Sequence, residues 1–264
     1  MGKTTKIDWV DATYSPVTGC DHGCQYCYAR RIASRFSGFD ENDELNQMSY
    51  AMSERNGKII YEVDRLMTRV TKSGEKQAAP YPFGFAPTLH NYKLIRDLKT
   101  LVDPRDIFVC SMSDLFADCI PDGWIQRVFQ ACMQFPKHRY FFLTKNPERY
   151  VDLFNSGILP QRQDNFWLGT TVINPYQPYF YKVDANCFLS IEPIQADFRP
   201  DDTTLRHIQW VIVGAETGNR VGKVKPEKEW IMNISEVCKK IGIPLFMKES
   251  LRSLMGDDFR QEKP

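Results

Sequence analysis

The sequence predicts an α/β fold, a full or partial (β/α) barrel of TIM-like type. Three observations carry that reading. Short apolar runs alternate with amphipathic helical stretches from about residue 85 to the end. The runs are apolar throughout, as parallel strands buried on both faces are. Run after run then ends in polar residues, and barrels of this kind gather their sites at the C-terminal ends of the strands. The length, 264 residues, is close to the roughly 250 of one such barrel. No repeat or low-complexity segment interrupts it, so the expected organisation is one barrel domain over 1–264 with an inserted segment at about 37–80.

The elements follow in order. After a cysteine-rich loop, Tyr28, Ile32 and Phe36 recur every four residues beside Ala29 and Ala33. This predicts a helix with that apolar face inward. Arg30, Arg31 and Arg35 fall on its other side, either as a solvated face or as a place for phosphate. Ser37-Gly38 and the polar run Lys72–Lys76 mark the insertion, expected to carry a helix or two and to serve either as a substrate-facing lid or as a surface excursion. A strand is expected near Phe85–Leu89. Asn91 is placed to cap a helix with Leu94, Ile95, Leu98 and Leu101 on one face. Strands are then predicted at 107–110, 140–143, 166–169, 187–191, 210–213 and 244–247. Helix stripes run through Trp124, Val128, Cys132 and Phe135, and through Trp230, Ile234, Val237 and Ile241 up to Gly242. Asn146-Pro147 opens a helix as cap and first-turn proline.

Charge narrows the function classes. Lys plus Arg is 34 against 33 for Asp plus Glu, a net charge of +1. That excludes a uniformly basic nucleic-acid binder but not a local basic patch. No stretch approaches the ~20 apolar residues of a membrane span. The opening Met1–Trp9 lacks the apolar core of a secretion signal. A soluble, cytoplasmic protein is expected.

The cysteines carry the chemistry. Cys110, Cys119, Cys132, Cys187 and Cys238 are scattered, mostly in apolar runs, and read as small core residues. Cys20, Cys24 and Cys27 form a C-x3-C-x2-C cluster on a glycine-containing loop. A disulfide framework does not suit a long chain of this kind. A structural zinc site wants four ligands, and a second C-x2-C pair is missing; His22, between two cysteines, is a doubtful fourth. Three thiolates suit a [4Fe–4S] cluster with one iron left open for chemistry. No further tight cysteine group suggests an auxiliary cluster.

With Tyr26 just before the last cysteine, the cluster resembles the signature of radical S-adenosylmethionine (SAM) enzymes. Longer blocks are similar to a phage- and bacteria-associated radical-SAM-like family known by its three-cysteine motif. They are Trp9–Cys20, Phe108–Phe116, Phe142–Arg149, Phe188–Pro193 and Trp210–Glu216. Relatives in that family have a longer gap between the first two cysteines; here the gap is the radical SAM one. The resemblance implies a barrel of radical SAM type, with the cysteine loop after the first strand. It also implies a [4Fe–4S] cluster held by Cys20, Cys24 and Cys27, SAM on the open iron, and an electron donor such as flavodoxin or ferredoxin. The reaction implied is reductive cleavage of SAM to a 5′-deoxyadenosyl radical that abstracts hydrogen from a substrate. The Gly-Gly-Glu that receives the SAM amino group is absent. Ser111-Met112-Ser113-Asp114 stands in its place, as in the spore-photoproduct-lyase-like branch, where the next strand also ends in Thr-Lys.

By position, Tyr26 is expected at the adenine and Ser111, Ser113 or Asp114 at the ammonium. Thr144, Lys145 and Thr170 are expected at the carboxylate or ribose. Glu192, Glu216 and Lys248 are the candidates for substrate contact or proton transfer, or for an ion network among themselves. Likeness to a DNA-repair branch favours a nucleic acid or nucleotide as substrate, with a peptide or small metabolite open. The alternative is a non-catalytic barrel stabilised by zinc or a closed cluster that binds nucleic acid or protein.

Overall fold

The computed structural model describes residues 5–201 and 203–264; residues 1–4 of the polar opening lie outside them. β1 (Ala12–Tyr14) and β2 (Val17–Thr18) lead into the cysteine loop, which ends in α1 (Tyr28–Arg35). The insertion carries α2 (Glu44–Gln47), β3 (Tyr50–Arg55), β4 (Lys58–Val63), β5 (Thr68–Val70) and β6 (Lys76–Ala78). β7 (Thr88–His90), α3 (Arg96–Lys99), β8 (Asp106–Val109), α4 (Asp122–Met133), β9 (Arg139–Thr144) and α5 (Glu148–Asn155) follow. β10 (Phe166–Val172), β11 (Asn186–Ile191), β12 (Trp210–Val213), α6 (Lys228–Ile241), β13 (Leu245–Met247) and α7 (Arg252–Met255) complete the order.

Seven strands form one parallel sheet in the order β1-β8-β9-β10-β11-β12-β13, curled into a half-barrel. Each strand of the run β8 to β13 pairs with its sequence neighbour. The outward residues, such as Phe142, Leu168, Leu189, Val211 and Leu245, join the buried faces of α4, α5 and α6 in the main core. The inward residues are aromatic at strand after strand: Phe141, Trp167, Phe188, Trp210 and Phe246. Trp9 drops into their midst, with ring centroids 5.8 Å from Phe141 and 5.8 Å from Trp210. The half-barrel is thus filled, not hollow, below its mouth.

Three expectations change. The insertion is mainly strand: β3 and β4 pair through Asn56-Gly57, whose φ values of 50° and 71° suit a tight hairpin turn, and they extend a second sheet, β2-β7-β4-β3. The helix expected from Asn91 is a 3-10 turn followed by the four-residue α3. Asn91 does not cap it; its amide donates to Asp64 at 2.7 Å and its oxygen accepts from Arg127 at 2.7 Å. Finally, α1 buries Ala29 and Ala33, while Tyr28, Ile32 and Phe36 are 47%, 39% and 37% exposed. Small residues let this helix lie close to the barrel, which leaves its larger apolar stripe outside.

Gly169 faces inward on β10. A Cβ there would lie 2.3 Å from the Phe188 ring. Gly169→Ala is therefore expected to cost about 1–3 kcal/mol through forced repacking, read as a fall in Tm of about 2–4 °C per kcal/mol in thermal unfolding by circular dichroism.

Candidate functional site

The cysteine loop is shaped by glycine and fastened to the barrel mouth. Gly19 has φ 79°, and a Cβ would lie 2.4 Å from the Ala86 carbonyl oxygen, so only glycine fits. Gly19 N–H donates to Met112 O at 2.9 Å, and Ser113 Oγ donates to Gly19 O at 2.6 Å. Cys27 N–H donates to Cys24 O at 3.2 Å, and Cys27 Sγ accepts from Arg30 N–H at 3.2 Å, capping α1.

A buried carboxylate makes the central tie. Asp114 Oδ2 accepts from His22 Nε2 at 2.7 Å and from Lys145 N–H at 2.8 Å; Oδ1 accepts from Phe116 N–H at 3.0 Å. Burial works against the Asp114 charge, but the His22 hydrogen bond and the Lys145 amide outweigh it and hold the carboxyl below its ordinary range. Burial likewise opposes a charged His22, and the Asp114 bond and charge overcome that and raise its pKa. The loop is thereby pinned to the ends of β8 and β9.

Cys20, Cys24 and Cys27 are free and half-buried, and all three line one cavity of about 230 Å³ at the mouth of the half-barrel. Burial pushes the Cys20 thiol up to about 12, so without a bound cation it stays protonated at neutral pH. Among the described residues no three His, Cys, Asp or Glu side chains stand as a ready cage for a single ion. The donor set nonetheless suits an iron–sulfur cluster: three thiols from one loop, facing one space, with one of them capping a helix. Apolar groups of Ile7, Trp9, Phe108, Leu143 and Ala215 line the same cavity.

Of the residues expected here, Tyr26, Ser111, Ser113, Asp114, Thr144, Lys145, Glu192, Glu216 and Lys248 line the cavity with the cysteines. Lys145 Nζ lies 5.9 Å from the centre of the Tyr26 ring. Ser111 Oγ is 3.3 Å from Ser15 Oγ, and its carbonyl accepts from the Tyr28 hydroxyl. Lys248 pairs with Glu192. Glu216 is gripped by Arg220 through two 2.7 Å bonds, which hold its carboxyl below the ordinary range. Thr144 reaches the cavity edge with its hydroxyl committed: it accepts from Asn146 N–H at 2.9 Å at the start of α5. Thr170 is not in the site. Its side chain points to the outer layer and accepts from Phe180 N–H at 3.0 Å, and Thr171, one residue on, faces the cavity.

That correction follows from strand alternation. Two or four residues on from four of the five inward aromatics stands a cavity residue: Phe141 leads to Lys145, Trp167 to Thr171, Phe188 to Ser190 and Glu192, Phe246 to Lys248. The aromatics were the available signal, and they single out Thr171 and Ser190, which the sequence reading passes over. His22, Tyr28 and Arg31 also join the lining; nothing local in the sequence marks the Asp114 partnership of His22. Gly214 completes the mouth, since a Cβ there would lie 2.9 Å from Lys248 Cδ.

Asp114→Ala removes the shared acceptor and strands three donors. A loss of about 3–5 kcal/mol is expected, read by thermal unfolding of the metal-free protein. The contribution of Asp114 is present above an unfolded carboxyl pKa of about 3.9 and is lost as pH falls through its lower folded value. The difference between wild type and variant should therefore shrink in acid.

No curated protein matches the chain. Among solved structures the fold is similar to "Spore photoproduct lyase complexed with dinucleoside spore photoproduct", with a TM-score of 0.53, 9% sequence identity, and coverage of 94% of this chain and 79% of that one. At that identity the likeness shows the fold alone, an α/β architecture with a parallel half-barrel sheet. The match that spans the sequence is of another kind: over residues 4–251 the chain belongs to the family described as "Protein of unknown function (DUF5131)".

Proposed function

We propose that this protein is a radical SAM enzyme. The observation that carries the reading is the convergence of three thiols from one C-x3-C-x2-C loop on a cavity at the C-terminal mouth of a parallel half-barrel. The similar fold of a radical SAM lyase and the likeness of the sequence blocks to the three-cysteine family support it. Cys20, Cys24 and Cys27 would hold a [4Fe–4S] cluster, and Tyr26 would lie against the adenine of SAM. Held there and reduced by a donor such as flavodoxin or ferredoxin, such a cluster would supply the one electron for cleavage of SAM to methionine and a 5′-deoxyadenosyl radical.

The chain's own residues do the rest. Asp114 is buried and already takes three donors at its roughly four acceptor sites, so its role is to position the loop rather than to meet the SAM ammonium. The hydroxyl oxygens of Ser111 and Ser113 are the better acceptors for that group. Lys145, beside Tyr26, presents a cation for the SAM carboxylate. Ile7, Trp9, Phe108 and Leu143 keep water from the floor of the cavity, which a reactive carbon radical requires. The Lys248–Glu192 pair stands at the rim, where a proton can be held or moved at Lys248 Nζ.

Anaerobic reconstitution with iron and sulfide, then dithionite and SAM, tests the proposal. Wild type should release 5′-deoxyadenosine and Cys24→Ala should release none. An absence of release from wild type, with about one tightly bound zinc per chain, would sink the reading and leave a metal-stabilised binding barrel.

A further inference from the structure

We infer that the outer face of α1, together with β5 of the insertion, is a binding track for single-stranded nucleic acid that leads into the cysteine cavity. This deepens the proposed function and rests on it only for what happens at the cavity end.

The basis is a group of arginines that stand in no ion pair among the described residues. Arg30, Arg31 and Arg35 on α1 and Arg69 on β5 make no ion pair among the described residues, although most other arginines of the chain do. Three of the four lie over aromatic rings. The Arg30 guanidinium lies 4.7 Å from the centre of the Phe85 ring. Arg35 and Arg69 share one ring, that of Phe36, at 5.4 Å and 5.6 Å. Arg69 comes from the insertion and Arg35 from the barrel, so the fold brings two like charges to one ring, neither of them in an ion pair among the described residues. Arg69 Nε is buried with no hydrogen-bond partner, and its Nη1 makes only a 3.5 Å contact with Ser37 O. Like charges held together repel, and an unpaired buried donor is costly. An anion bridging Arg35 and Arg69 relieves the repulsion.

The pattern of the face names the anion. Phosphates need cations at intervals, and arginine meets them with forked donors. Unpaired bases need flat aromatic surfaces, and arginine and aromatic side chains together make such platforms. Tyr28 and Phe36 are 47% and 37% exposed here, one helical turn either side of Ile32. The strip is continuous with the site, since Tyr28, Arg31 and Phe85 also line the cavity. A cavity set between the strand ends and α1 admits a base only when it is out of a duplex, which favours a single strand. A net charge of +1 is compatible with a local basic strip of this kind.

Fluorescence anisotropy with a labelled single-stranded DNA 20-mer, its RNA counterpart and the matching DNA duplex tests the inference, with salt varied between about 50 and 200 mM. Wild type should bind a single strand more tightly than the duplex, and the DNA and RNA arms decide which strand chemistry is preferred. Arg35→Ala with Arg69→Ala should weaken binding at least tenfold and reduce the slope of log affinity against log salt by about 1.4, at roughly 0.7 per lost phosphate contact. Arg35→Lys with Arg69→Lys keeps the charges and should retain the slope while losing affinity. Lys239→Ala, on α6, should bind as wild type does. No wild-type binding at the lowest salt, equal binding of duplex, or an unchanged slope in the double alanine variant would overturn the inference. Binding is read without SAM or a reductant. Strand binding with no 5′-deoxyadenosine release would therefore count against the enzyme reading alone, and release without strand binding against this track alone.

Discussion

The buried carboxylate of Asp114 is the constraint on which the site depends. The cysteine loop has no regular secondary structure of its own, and a loop of that kind is held only by what it hydrogen-bonds to. Asp114 takes His22 from the loop, Phe116 N–H from its own turn and Lys145 N–H from the end of β9. Ser113 and Met112 add the bonds to Gly19. One short segment after β8 thus sets where all three thiols lie relative to the barrel. Its cost is a charge out of water, offset by three donors and a raised His22.

Below that mouth, the half-barrel is closed by aromatic packing. An open parallel sheet curled on itself leaves an interior to fill, and here each of five neighbouring strands contributes one large ring, with Trp9 at the centre. The rings have two consequences. Trp9 supplies part of the apolar lining of the cavity, and the strand rings set the parity that decides which strand-end side chains point into it. Gly169 and Gly214 are the counterpart of this filling, since each leaves room for a side chain, Phe188 and Lys248 respectively.

The insertion is tied to the same region from outside. β4 pairs with β7, and β7 with β2, directly before the cysteine loop. Arg69 of β5 reaches the Phe36 ring at the end of α1. A segment that interrupts the rhythm of the sequence is thus joined, through β7, to the strand before the cysteine loop and packs against the end of the helix after it. α1 serves it with a face that is more exposed than its periodicity suggests, because only Ala29 and Ala33 go inward.

The sequence by itself determined the order of the strands after residue 85 and the grouping of three thiols on one loop. Both are local: continuous apolar runs, helix stripes such as Trp124, Val128 and Cys132, the stop at Gly242 with φ 73°, and thiols at fixed spacing. The polar ends of the strands were legible too, and most of the side chains named there do face one cavity. Which of two adjacent residues faces in was decided only by the tertiary structure. A strand buried on both faces carries no hydropathy alternation, so Thr170 and Thr171 look alike until the sheet is curled. The same holds for the face α1 buries and for the partner of His22, 92 residues away at Asp114. Those depend on what packs opposite, and a chain read one residue after another does not contain it.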